Sequence, residues 1–133
     1  LSNPVELSKY EVENTENSWG WTQSSALYEH KAFLFDKEKN LLVLPIGDYS
    51  KQSAYVFDIS VENDIELKGT VTHDLEMQSE ETDSDDIYYY NYDYGNSIKR
   101  TLYIDDVLYT ISDNMVKMNN LNTLDEINSV SLD

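Results

Sequence analysis

Apolar residues in this chain arrive in short bursts separated by polar breaks. Lys31-Ala32-Phe33-Leu34-Phe35-Asp36 is followed by Lys37-Glu38-Lys39-Asn40 and then by Leu41-Leu42-Val43-Leu44-Pro45-Ile46-Gly47. Two apolar runs joined by a polar stretch ending in Asn predict a β-hairpin. A third run, Ala54-Tyr55-Val56-Phe57-Asp58-Ile59, leads through Glu62-Asn63-Asp64 into Ile65-Glu66-Leu67-Lys68-Gly69-Thr70-Val71. The first three runs are apolar on both faces, as in strands covered on both sides. The fourth alternates Ile65, Leu67 and Gly69 with Glu66, Lys68 and Thr70, as in a strand with one wet face.

The order then repeats. Arg100-Thr101-Leu102-Tyr103-Ile104-Asp105 turns at Asp106 into Val107-Leu108-Tyr109-Thr110-Ile111-Ser112. Met115-Val116-Lys117-Met118-Asn119-Asn120 and Glu126-Ile127-Asn128-Ser129-Val130-Ser131-Leu132 follow. Phe35-Asp36 aligns with Ile104-Asp105, Leu42-Val43 with Leu108-Tyr109, and Phe57-Asp58 with Met118-Asn119. Without the long insertion between them each unit is roughly 40 residues, the length of a four-stranded propeller blade. The expectation is an all-β chain, a partial β-propeller of two four-stranded antiparallel blades plus the outer strand of a preceding blade. Residues 1–12 match the end of a unit and read as that outer strand; 13–29 are an interblade loop, 30–73 a blade, 74–98 an acidic, Tyr-rich insertion, and 99–133 a second blade.

The block from His30 to Leu42, with Ala54-Tyr55-Val56-Phe57-Asp58-Ile59 and the stretch from Leu102 to Ser112, resembles a family of secreted archaeal and bacterial proteins. The C-terminal half of that family is a β-propeller distantly related to WD40 repeats. The resemblance implies a propeller fold and an extracellular or cell-surface location, and carries no catalytic activity with it. Neither the Gly-His nor the Trp-Asp pair of ordinary WD40 repeats occurs here.

At 133 residues the chain has the size of one ordinary domain. It opens Leu1-Ser2-Asn3-Pro4 without a methionine, which reads as a processed or partial product. A formal charge of −17 repels phosphate backbones and anionic lipid, so nucleic acid is excluded as a partner on electrostatic grounds. No apolar run approaches the about 20 residues that a membrane-spanning helix needs. The absence of cysteine removes thiolate catalysis, disulfides and cysteine-ligated zinc.

In a propeller the outer strand of one blade leads to the inner strand of the next, and all such connections emerge at one end. Residues 13–29 and 74–97 occupy that position and are expected side by side. They supply a candidate binding surface of Trp19, Trp21, Tyr28, Tyr88, Tyr90, Tyr92 and Tyr94 with the carboxylates Asp83, Asp85 and Asp86. Aromatic faces with polar tips, flanked by acceptors, suit a protein partner or a sugar ring. Asp83, Asp85 and Asp86 could hold an adventitious calcium ion, but Tyr88 and Tyr94 stand where a calcium-binding EF-hand loop has its glycine and glutamate. Residues 74–93 carry eight carboxylates and no lysine or arginine, so local repulsion predicts mobility around Glu80 to Asp86.

No catalytic constellation or cofactor motif is visible. His30 is expected at the start of an inner strand and His73 at the end of an outer one, both as satisfied structural residues. Asp36, Asp58 and Asp105 are expected to serve turn hydrogen bonds. The chain therefore reads as a non-catalytic binding or scaffolding segment, partnered by further blades of a parent chain or by a second copy. The rival reading is a carbohydrate-binding or carbohydrate-processing propeller with its site at the interblade-loop end. Two blades cannot close a ring, so the strands bearing Phe33, Phe35, Leu42, Leu44, Val56 and Phe57, and those bearing Leu102, Leu108 and Met118, are expected to be covered from another chain.

Overall fold

The structure, a computed structural model, describes residues 3–12, 22–47, 52–73 and 94–132. It contains two four-stranded antiparallel sheets in which every strand pairs with its neighbours in sequence. The first comprises β1 (Leu34–Asp36), β2 (Leu41–Gly47), β3 (Gln52–Ser60) and β4 (Asp64–Thr72). The second comprises β5 (Arg100–Ile104), β6 (Val107–Ile111), β7 (Met115–Asn120) and β8 (Glu126–Ser131). Among the described residues there is no α-helix, only three short 3₁₀ turns.

Local chemistry sets the turns. Asp36 Oδ1 accepts from the amides of Glu38 (2.8 Å) and Lys39 (3.0 Å), and Asn40 takes a positive φ of 52° that suits asparagine, so β1 reverses into β2. Asn120 Oδ1 does the same work between β7 and β8, accepting from Asn122 (2.8 Å) and Thr123 (3.1 Å). Two of the expected turn carboxylates behave differently. Asp58 lies inside β3 with its Oδ1 buried and unpaired, and Asp105 contributes a positive φ of 51° in the β5–β6 turn, with no side-chain hydrogen bond found among the described residues. The first apolar run also starts later than its pattern suggests. Glu29 accepts from the Lys31 amide (3.3 Å) and caps a 3₁₀ turn over His30–Ala32, so His30 stands ahead of the inner strand, and its ring is largely exposed.

Pairing register fixes which face each residue takes. Leu34 opposes Val43, which opposes Val56, and Val56 opposes Gly69. These residues share one face of the first sheet with Leu41, Pro45, Ala54 and Val71. That face meets Ile98, Leu108 and Leu121 of the second unit in one buried cluster, with Leu34, Tyr103 and Leu124 packed at its margin. The sheets therefore lie face to face as adjacent blades. Val56 and Leu108 are buried between them and Phe57 is buried against Tyr10, so these three need no second chain, contrary to the expectation from the apolar pattern. Phe33, Phe35 and Leu102 are exposed, while Leu42, Leu44 and Met118 are half-buried.

Both sheets carry a register shift at the same place, between Val56 and Phe57 in β3 and between Met118 and Asn119 in β7. Aligning on it makes Leu42 equivalent to Leu108 and Val43 to Tyr109, as the sequence repeat has them. It also makes Phe35 equivalent to Tyr103 and Phe57 to Asn119, one residue away from the sequence alignment. Turn length explains part of the slip: four residues separate β1 from β2 and two separate β5 from β6.

Residues 3–12 join neither sheet by backbone pairing. They lie against the other face of the first sheet, where Ser8 Oγ accepts from the Ile65 amide (3.2 Å) and the Tyr10 ring meets Phe57 edge-on at 5.0 Å.

Because Leu108 is wholly buried in a core both sheets share, Leu108→Ala should destabilise the chain by about 2–5 kcal/mol. Urea titration followed by circular dichroism should show one transition shifted to lower denaturant. Two separate transitions would mean that the sheets fold independently.

Candidate interblade site

The two sheets are joined by polar contacts as well as by apolar packing. At the inner strands, Thr101 Oγ1 donates to the Ala32 carbonyl (2.9 Å), and the Tyr103 hydroxyl donates to Asp36 Oδ2. Lys39 Nζ lies 5.2 Å from the Tyr103 ring centroid, a cation–π distance. The Tyr103 hydrogen bond, aided by the Lys39 and Glu38 amides and the Lys39 charge, holds the Asp36 carboxyl below its ordinary value of 3.8. The same bond raises the Tyr103 phenol above its ordinary 10.0. Further out, Lys68 Nζ donates to the Leu121 carbonyl (3.4 Å).

His73, directly after β4, is the deepest of these couplings, with 1% of its surface exposed. Its Nε2 lies 2.8 Å from Thr110 Oγ1 and its Nδ1 2.9 Å from Ser112 Oγ. Ser112 Oγ also accepts from the Met115 amide (3.1 Å) and donates to the Met115 carbonyl (3.3 Å). Both ring nitrogens are met by hydroxyls, and which of them carries the hydrogen sets which hydroxyl donates. The ring bridges the end of the first blade to the end of β6 in the second. It is a structural histidine, as expected; exposed His30 is not its counterpart.

The stems of the interblade segments meet at this same end. Gln23 exchanges two backbone hydrogen bonds with Gly47 (2.7 and 2.9 Å), placing the chain after residue 21 beside the end of β2. Ser24 caps a 3₁₀ turn over Ser25–Leu27, and Ser25 Oγ has two acceptors sharing its proton, Gln52 Oε1 at 3.2 Å and the Ile98 carbonyl at 3.1 Å. Ile98 belongs to the stem of the other long segment, so the described stems of the two interblade segments are tied together. The third 3₁₀ turn, Tyr94–Asn96, docks on the β6–β7 turn: the Gly95 carbonyl accepts from the amides of Asp113 (3.0 Å) and Asn114 (3.2 Å). A Cβ at 95 would meet the Asn114 carboxamide at 2.4–2.6 Å, so a larger residue there requires that side chain to move.

Of the aromatic and acidic surface expected from the sequence, Tyr28 is described and is 84% exposed at the end of the first 3₁₀ turn. Tyr94 opens the third turn. Trp19, Trp21, Asp83, Asp85, Asp86, Tyr88, Tyr90 and Tyr92 lie outside the described residues, as does the stretch around Glu80 to Asp86 expected to be mobile. Among the described residues no group of three or more histidines and carboxylates could hold a metal ion, and no helix is long and apolar enough to cross a membrane. Ser25, Gln52, Thr110 and Ser112 were not marked by any sequence motif. The one available signal was the hydroxyl-bearing pair Thr110 and Ser112 on one face of an otherwise apolar strand.

Two face-to-face four-stranded meanders, joined by connections that gather at one end, are consecutive blades of a β-propeller. Residues 1–124 match the family described as beta propeller domain, and the chain belongs to that family. No curated protein and no solved structure matches it.

Two predictions follow from the seam. Asp36 is held below its ordinary value, so the stability it contributes is present above the unfolded-state pKa and is lost as pH falls through the folded one. Tyr103→Phe removes the chief cause. NMR titration should then show the Asp36 pKa moving up towards 3.8, with a smaller loss of stability on acidification. Thr110→Val keeps the shape but leaves His73 Nε2 facing a methyl group; chemical denaturation should show a loss of about 1–3 kcal/mol.

Proposed function

We propose that the chain is a non-catalytic binding or scaffolding segment of a secreted or cell-surface β-propeller protein, and that its ligand surface is the interblade-loop end. The observation that carries this reading is the hydroxyl of Ser25 set between Gln52 and the Ile98 carbonyl, which roots both long segments at one point of a rigid scaffold. Long connections held on a rigid frame are where propellers and other all-β folds carry recognition. The aromatic residues Trp19, Trp21, Tyr28, Tyr88, Tyr90, Tyr92 and Tyr94 provide the contact area, and Asp83, Asp85 and Asp86 provide acceptors. The partner is a protein or a glycan; the charge of −17 disfavours anionic ligands. A propeller role in binding or scaffolding is the general expectation for this family, while the location, the absence of catalysis and the loop surface are particular to this proposal.

The test is a glycan array run beside chromogenic glycoside hydrolysis, on the full chain and on Tyr28→Ala and Trp21→Ala. No turnover is expected, and any glycan bound should be lost in both variants without a change in thermal melting. Turnover abolished by substituting a single carboxylate would establish the carbohydrate-processing reading instead. Calcium should not be required: calorimetric titration is expected to show no micromolar binding, and such binding abolished by Asp83→Ala with Asp85→Ala would make the acidic segment a cation site.

A further inference from the structure

Across the seam, two rows of residues are set in line by the pairing registers. In the first sheet Asp36, Leu41 and Asp58 stand opposite one another on β1, β2 and β3. In the second, Tyr103, Leu108 and Asn119 do so on β5, β6 and β7. Residues opposed across an antiparallel ladder share a face, so each row lies on the face that carries Leu41 or Leu108 into the shared core. The rows meet: Asp36 bonds Tyr103 at the inner strands, and Leu41 and Leu108 belong to one buried cluster at the second strands. The third members, Asp58 and Asn119, therefore fall opposite each other.

Contacts further out agree with this register. Gly69, paired with Val56, lies so close to Leu124 that a Cβ there would stand 2.8 Å from its Cδ1. The Leu124 carbonyl accepts from Asn119 Nδ2 at 2.8 Å, which fixes the carboxamide with its nitrogen on Leu124. Turning the amide over would only set its oxygen against that carbonyl. Asn119 is 5% exposed, and its Oδ1, like Asp58 Oδ1, is buried without a hydrogen-bond partner in the protein. A carboxylate oxygen and an amide oxygen both accept, so neither can serve the other.

We propose that one water molecule binds between β3 and β7, donating one hydrogen to Asp58 Oδ1 and the other to Asn119 Oδ1. Water carries the two donors that two acceptors require, and buried waters occupy sites where polar groups lack protein partners. A hard metal ion suits the site less well, because it draws on about six or more oxygens. Only these two side-chain oxygens are buried and unpaired among the described residues. Asp36 is taken up by Tyr103 and the turn amides, and the Leu121 carbonyl by Lys68. The water gives the third strands the polar coupling that Tyr103 gives the inner strands and His73 gives the outer end. It is independent of any ligand at the loop end.

The test is a crystal structure of the full chain at a resolution that shows ordered water, with water-to-protein nuclear Overhauser effects measured in solution. One peak is expected at about 2.7–3.0 Å from both Oδ1 atoms, refining as water. The Asn119 side-chain amide should show a cross-peak to water with the sign of a molecule held through tumbling. Asp58→Leu should abolish that cross-peak. Tyr103→Phe, which removes the hydroxyl in the same rows, should leave it. If Asp58→Leu fails to fold, the native structure and native cross-peak decide alone. An empty gap, direct contact of the two Oδ1 atoms, or either side chain turned to another partner would overturn the proposal. So would a peak ringed by six or more oxygens at about 2.0–2.6 Å, as around a bound cation, or a cross-peak lost in Tyr103→Phe.

Discussion

The fold depends on one contact, the face-to-face packing of the two sheets. A four-stranded meander with a single neighbour has no closed core of its own; Val43, Val56 and Leu108 leave water only because the other blade lies over them. Each such side chain contributes about 1.5–3 kcal/mol on burial. Polar groups buried in the same plane reduce that gain where they lack a protein partner, as Asp58 Oδ1 and Asn119 Oδ1 do. His73, Thr101 and Tyr103 instead bond across the seam, so these hydrogen bonds also fix the relative placement of the blades.

The interblade-loop end inherits its order from this packing. Ile98 is fully buried in the shared core, and its carbonyl is one of the two acceptors facing Ser25. Thus the stem of one long segment is held by a residue whose own position is set by hydrophobic contact, and the stem of the other is held by the first. Tyr28 stands out from this fixed root into solvent.

Much of the architecture was legible in the sequence because strand period and hydrophobicity coincide there. The runs around Leu41 to Gly47 and Met115 to Asn120 became strands with the expected bounds, and the meander order followed from short polar turns. The one-residue slip in the repeat was not legible, because turns of different length and a bulge change parity without changing composition. Strands faced by another blade on one side and exposed on the other carry apolar residues on both, so Val56 and Phe35 looked alike, yet only Val56 is buried. Of the candidate surface, only Tyr28 and Tyr94 lie among the described residues. The anchoring of the segment stems was not legible, since Ser25, Gln52 and the Ile98 carbonyl converge from three parts of the chain.

The matched bulges have a mechanical consequence. A bulge locally increases the coiling of the strand that bears it, and here both fourth strands bear one at the same height, where the pairing skips Lys68 in β4 and Ile127 in β8. The two sheets are consequently warped in the same sense, like two saddles stacked on one another, and can stay in contact along a curved surface rather than along one line. An insertion or deletion straightening one saddle alone would lift the outer strands apart while leaving the inner ones touching, opening a wedge towards the rim. Length changes are therefore expected to cost least in the segments between blades and at the turns, and most at Lys68 and Ile127, where the shape of each sheet must copy that of its neighbour.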